Sequence, residues 1–203
     1  MKGLRGLIVD GVTGTGKSST LAALAECASR PAWLARACVV TEEETLGEAL
    51  SQEMQNAALD DRARAWRLDA VLDRMDREGA ETSWILERFH PTYAALLPAW
   101  TGVDEIDQRI AAHHFVFVLL RVPEQDLMAR ALRRADRGEA WTAEMAAHYG
   151  SEQAALNAIV ESQRRREAFV ARTRLPTLVI DTSSRDWAAH ATAIARFCAL
   201  ASP

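Results

Sequence analysis

The sequence predicts an α/β fold in three layers, a five-stranded parallel sheet flanked by helices. Three observations carry this. Short β-type apolar runs alternate with longer helix-type segments along the chain. The runs are apolar throughout rather than every second residue, as in strands covered on both faces. A glycine-rich turn, GVTGTGKS, separates the first run from the first helical segment.

The elements follow in order. Leu7 to Asp10 (LIVD) reads as the first strand, and Ser18 to Ser29 as the helix after the glycine-rich turn. Ala37 to Thr41 is the second strand. Leu46 to about Met75 reads as helix, in two pieces, with Trp66, Leu68, Val71, Leu72 and Met75 at helical spacing. Ser83 to Leu86 is the third strand, Phe115 to Leu120 (FVFVLL) the fourth and most apolar, and Thr177 to Ile180 the fifth. Trp187 to Leu200 closes the chain as an amphipathic helix. No repeat or linker divides the 203 residues, so a single domain is expected over 1–203. The stretch from Arg130 to Gly150 is charged, carries two glycines, and is expected to form a mobile excursion.

Composition narrows the function classes. Apolar residues make up 49% and charged residues 26%, which excludes wholesale disorder. A formal net charge of −4 gives no global positive field, so neither a nucleic-acid polymer nor a membrane is expected as partner. Cys27, Cys38 and Cys198 show no metal-ligand spacing and read as reduced thiols. The apolar run before Asp10 is too short for a signal-peptide core, and no stretch approaches the roughly 20 apolar residues of a membrane span. A cytoplasmic protein is expected.

Gly11-Val-Thr-Gly-Thr-Gly-Lys-Ser18 matches GxxxxGK[ST] in full, after a strand and before a helix. Each part has a chemical reason. Gly11, Gly14 and Gly16 let the backbone wrap close to phosphate oxygens, while the N–H groups from Thr13 to Ser19, Thr15 among them, form an anion cradle at a helix N-terminus. Lys17 supplies a charge for the β- and γ-phosphates and Ser18 a hydroxyl for Mg²⁺. Lys2 and Lys17 are the only lysines among 24 basic residues, so Lys17 is not one of a crowd. ATP with Mg²⁺ is the expected cofactor pair of this P-loop NTPase sequence.

The partners of the loop then select a class. The guanine-reading N-K-x-D motif is missing: neither Asn56 nor Asn157 is followed by lysine. Glu87-Arg88 instead stands at the carboxyl end of the third strand, where an open parallel sheet binds ligands. Glu87 can orient Mg²⁺ there and Arg88 can hold the transferring phosphoryl, although a surface ion pair would look the same. Arg130, Arg133, Arg134 and Arg137 fall at i, i+3, i+4 and i+7, one helical stripe able to close over a triphosphate or to face solvent. Arg164, Arg165 and Arg166 are consecutive and read mainly as surface, with one facing an acceptor. In Thr41-Glu-Glu-Glu-Thr45, Thr41 and Glu44 fit a capping box. His90 is open to a substrate contact or an exposed turn; Trp100 and Phe89 are open to base stacking or core, and Trp84 favours core.

These features resemble the thymidylate kinases and deoxynucleoside kinases. Asp10-Gly11 matches the family's acid-Gly opening, Glu87-Arg88 its D/E-R pair, Thr92 its serine five residues after that acid, and Leu119 to Gly138 its fourth strand and lid. The resemblance implies phosphoryl transfer with Lys17, Arg88, Arg130 and Arg134 as catalytic residues. It implies Ser18, Glu87 and Asp10 near the metal, and a homodimer. A Glu follows the second strand as the base in deoxynucleoside kinases, and by rough register Glu43 takes that part. The chain departs from thymidylate kinases in having Thr13 for an acid and Thr41-Glu-Glu-Glu for T-R-E-P-G-G, which makes a phosphorylated acceptor less welcome. It departs from deoxynucleoside kinases at Phe89-His90-Pro91. The expected activity is γ-phosphoryl transfer to a nucleoside-like hydroxyl or a nucleoside monophosphate. The alternatives are a nucleotide-binding regulator or slow ATPase, and a kinase for an unrelated hydroxyl compound such as a natural product.

Overall fold

A computed structural model describes residues 4–46, 66–79, 81–97, 99, 101–134 and 136–201. Five strands, β1 (Gly6–Asp10), β2 (Cys38–Val40), β3 (Trp84–Glu87), β4 (Phe115–Arg121) and β5 (Thr177–Asp181), form one sheet in the order 2-3-1-4-5. All neighbours are parallel, with Asp10 opposite Leu119 and Val9 opposite Glu87. The five strands lie where the apolar runs predict, within a residue or two at each end.

Alternation along each strand divides its side chains between the two faces. Phe115, Phe117 and Leu119 of β4 join Ile8, Trp84 and Leu86 in one core. Val116, Val118 and Leu120 join Leu7, Val9 and Ile85 in the other. On the first face lie α4 (Trp66–Glu78) and α6 (Val103–Ala112), burying Leu68, Leu72, Met75, Ile106 and Ile110. On the second, α1 (Lys17–Glu26) packs against α10 (Trp187–Leu200), with Leu24 meeting the stripe Ala191, Ile194, Cys198. Burial of this kind is worth roughly 25 cal/mol per Å² of apolar surface.

The remaining helices, apart from α2 at the amino end of β2, connect or follow the carboxyl ends of the strands. Two short helices, α2 (Ala32–Ala35) and α3 (Glu42–Thr45), flank β2. α5 (His90–Leu96) follows β3. α7 (Glu124–Leu127) runs into a π-helical turn at Met128–Leu132, and α8 (Gly138–Tyr149) leads through Gly150 to the long α9 (Glu152–Val170). The first piece of the expected helix from Leu46 lies outside the described residues, as does Trp100.

The arginine stripe at 130–137 is not one helical face. The π turn inserts an extra residue per turn, the chain leaves helical geometry at Arg133 (φ −89°, ψ 51°), and helix resumes only at Gly138. Among the described residues, no helix is long and apolar enough to cross a membrane.

Candidate functional site

At the carboxyl edge of the sheet opens a cavity of about 1180 Å³. Its floor is the glycine-rich turn between β1 and α1. Gly14 (φ 80°) and Gly16 (φ 84°) take the left-handed backbone that only glycine adopts without strain. A Cβ at Gly14 would collide with the Arg130 carbonyl oxygen, and one at Gly16 with the Trp187 ring, so the turn is wedged between the π turn and the start of α10. Thr13, Ser18 and Ser19 line the cavity. Thr15 is buried behind it, its hydroxyl donating to the Val12 carbonyl at 2.9 Å and its own carbonyl accepting from Thr182 Oγ1 at 2.9 Å. Gly11, also buried, donates its N–H to Asp10 Oδ1 at 2.5 Å.

Lys17 is buried at the loop, Nζ donating to the carbonyls of Gly11 (2.9 Å) and Val12 (3.2 Å). Burial, reinforced by the charge of Arg88 and only partly offset by Glu42 and Asp10, pulls its ammonium down to about 7. Arg130 reaches from the π turn across the loop: Nε donates to the Gly14 carbonyl at 3.2 Å and Nη1 to the Thr182 carbonyl at 2.8 Å. Arg134 Nη1 donates to Thr13 Oγ1 at 3.4 Å while its Nε is held by Asp136 at 3.0 Å. Although they share no helical face, Arg130, Arg133, Arg134 and Arg137 all line the cavity.

Opposite the loop, Arg88 leaves β3 with φ 52°, a left-handed backbone rarely taken by a residue with a long side chain. Its N–H still completes the ladder to the Val9 carbonyl at 3.0 Å. The turned backbone sends the guanidinium to Glu42, Nη1 to Oε1 2.9 Å. Both residues line the cavity.

Three expectations are corrected here. Glu43, the expected base, is exposed and does not line the cavity, whereas Glu42 does. In so short a helix Glu42 shares a face with buried Thr45 and Leu46, three and four residues on, while Glu44 folds back to accept the Thr41 N–H at 2.9 Å. Asp10, expected near the metal, is fully buried with both oxygens engaged by protein donors. Oδ1 accepts from Gly11 and from Arg166 Nε at 3.0 Å, and Oδ2 from Thr92 Oγ1 at 2.7 Å. Burial alone would raise its carboxyl, but Arg166, Arg88 and Thr92 together hold it below the usual range. Glu87 stands at the end of β3, half-buried, and does not line the cavity; its carbonyl accepts from Thr45 Oγ1 at 3.0 Å.

Arg166 is the residue the sequence reading missed. It is 2% exposed, lines the cavity, and joins Asp10 to Thr92 (Nη2 to Oγ1 3.0 Å). Its spacing carried the signal: Ala155, Ile159, Gln163, Arg166 and Phe169 form the buried stripe of α9. His90 belongs to neither expected setting. It is fully buried, Nε2 at 3.0 Å from Asp107 Oδ1, edge-on to Phe169. Phe89 and Trp84 are core.

For Mg²⁺, the Ser18 hydroxyl is exposed to the cavity beside the phosphate cradle. Among the described residues no three His, Cys, Asp or Glu side chains cluster as a cage. The Ser18 hydroxyl is the side-chain group here that would hold Mg²⁺ together with nucleotide phosphates and water.

Several solved structures match nearly the whole chain. A Bacillus subtilis protein, YorR, solved with phosphorylated GDP, superposes with a TM-score of 0.60 at 14% identity, covering 96% of each chain. The thymidylate kinase of Ehrlichia chaffeensis gives 0.56 at 12% identity, covering 96% of this chain and 97% of that one. The fold is that of the P-loop kinases. A deoxyadenosine kinase from M. mycoides, solved with dCMP and dCDP, shares the P-loop kinase fold with a TM-score of 0.55 at 14% identity, over 94% of this chain and 97% of that one. No protein-family model matches the sequence, and no match is found among curated proteins.

Proposed function

We propose that the protein transfers the γ-phosphoryl group of ATP to a hydroxyl of a small neutral acceptor. The observation that carries this is the Glu42–Arg88 pair in the cavity that the Lys17 loop floors: a carboxylate and a guanidinium 2.9 Å apart. Glu42 would accept the acceptor's hydroxyl proton, and Arg88 would stabilise charge developing on the phosphoryl oxygens. Lys17, Arg130 and Arg134 would position the triphosphate, and Ser18 would hold Mg²⁺, whose charge helps neutralise the phosphates. Asp10 and Arg166 would keep the loop and Thr92 in register.

The charge distribution favours a neutral acceptor over a monophosphate. Beyond the loop every lining guanidinium has a carboxylate of its own: Arg88 with Glu42, Arg165 with Glu161 at 2.8 Å, and Arg166 with Asp10. At the loop the balance differs: among the described residues Lys17, Arg130, Arg137 and Arg185 have no ion-paired carboxylate, which suits a triphosphate. The test compares Glu42→Gln with Glu43→Gln in an acceptor-dependent ATP-consumption assay. Glu42→Gln is expected to lower kcat by about 10²-fold or more, within the usual range for a lost general base, and Glu43→Gln by less than about twofold. The opposite ranking returns the base to Glu43.

A further inference from the structure

The half of the cavity beyond the loop is walled by three helices, which bring apolar side chains into it between polar and charged ones. On α8, Trp141, Met145 and Tyr149 recur every fourth residue and all line the cavity. No residue along α8 is fully buried: Met145 packs in part against the cluster that holds Ile159, and Tyr149 is 42% exposed. Facing it, α5 contributes Ala95 and Leu96, the latter 38% exposed, and α9 contributes Ile159.

Most polar side chains along α5 and α9 in this half already have a partner within the protein. Thr92 Oγ1 donates to Asp10 and accepts from Arg166. Ser162 Oγ accepts from Arg166 Nη1, and Arg165 is held by Glu161 and by the Ala95 carbonyl at 3.1 Å. A polar ligand body lodged here would find few free partners, and each group left unpaired would cost roughly 1–3 kcal/mol. An apolar body would instead cover the exposed stripe.

We infer that the acceptor is an alcohol with a flat apolar body, of the arylalkanol class. Its rings lie between α8 and the α5–α9 wall, and its hydroxyl lies at Glu42. This rests on the kinase reading above and specifies its substrate. The reaction balances simply: the acceptor oxygen forms a bond to the γ-phosphorus, the bond from that phosphorus to the β,γ-bridging oxygen breaks, ADP leaves, and the hydroxyl proton passes to Glu42. Glu42 then returns it to solvent.

The experiment measures Mg-ATP consumption and phosphorylated product by mass for 2-(2-naphthyl)ethanol and 3-phenylpropanol against thymidine and D-gluconate, with ATP binding measured separately. The arylalkanols are expected to give kcat/KM at least tenfold above the polar acceptors. Met145→Asp is expected to raise KM for the arylalkanol at least tenfold while ATP affinity changes less than twofold. Turnover of thymidine above that of the arylalkanols overturns this inference and leaves the kinase reading standing, whereas preferred turnover of gluconate, an anion, overturns the neutral acceptor as well. ATP binding without phosphorylation of any acceptor overturns both.

Discussion

Lys17 sets a quantitative expectation for nucleotide binding. Its ammonium is buried against the Gly11 and Val12 carbonyls and titrates at about 7. A bound triphosphate places negative charge on this group, which keeps it protonated throughout the neutral and mildly alkaline range. The protonated form is thus the one that binds. The group's affinity contribution is complete below about pH 7 and falls as pH rises above it. Each pH unit above 7 then weakens ATP binding about tenfold, so pH 9 costs about 100-fold, or ~2.7 kcal/mol. At pH 8 about 0.9 of the free protein carries neutral Lys17, and binding must draw that proton from solution. ATP is then fully ionised, its last phosphate ionisation lying near ~6, and adds nothing to the count. Calorimetric titration with Mg-ATP at pH 8, in two buffers of different ionisation enthalpy, should read an uptake of about 0.9 proton per ATP. Lys17→Arg, always charged, should read near zero. An uptake below about 0.2 for the wild-type protein would refute the argument that burial has neutralised Lys17.

Two further perturbations test the frame of the site. Asp10→Asn keeps the shape but strips the charge from buried Arg166, and should lower unfolding free energy by about 3 kcal/mol in urea titrations. Adding Arg166→Met should restore part of that loss, and a double variant less stable than Asp10→Asn would show that the pair is not electrostatically coupled. Gly14→Ala sets a Cβ on a left-handed backbone against the Arg130 carbonyl and should weaken ATP binding at least about tenfold with a stability loss of about 1–2 kcal/mol. ATP affinity equal to wild type in a folded Gly14→Ala protein would mean the π turn moves freely away from the loop.

The sheet was legible because each strand is an uninterrupted apolar run between turns, a signal that depends on neighbours in sequence alone. The phosphate loop was legible for the same reason: its residues are contiguous and each has a local role. What the sequence hid was long-range pairing. Arg166 stands 156 positions from Asp10, and three adjacent arginines of α9 meet three different surroundings. Arg164 reaches Glu124 at the surface, Arg165 reaches Glu161 and Ala95, and only Arg166 is buried. Helical phase separates them, and the stripe Ala155-Ile159-Gln163 would have fixed that phase. The choice among Glu42, Glu43 and Glu44 turned on the same geometry at one-turn scale. The capping box correctly removed Glu44, but which of the other two faced inward depended on Thr45, whose burial comes from its hydroxyl bonding the Glu87 carbonyl of a neighbouring strand.

The backbone of Arg88 ties these points together. A left-handed non-glycine residue costs of order 1–3 kcal/mol, and it persists only where its surroundings over-determine it. Here they do so from both ends. Before it, its own N–H is locked to Val9 in the β1–β3 ladder. After it, Phe89 and His90 are drawn into the core, His90 against Asp107, which also accepts from Thr173 Oγ1 and the Arg174 N–H. A right-handed or extended turn at position 88 would have to give up one of those two anchors. The strain therefore fixes the direction in which the guanidinium leaves the strand, toward Glu42. A glycine could make the same turn without strain but would carry no charge into the cavity. The proposed role of Arg88 at the phosphoryl group needs that charge, and not the turn alone.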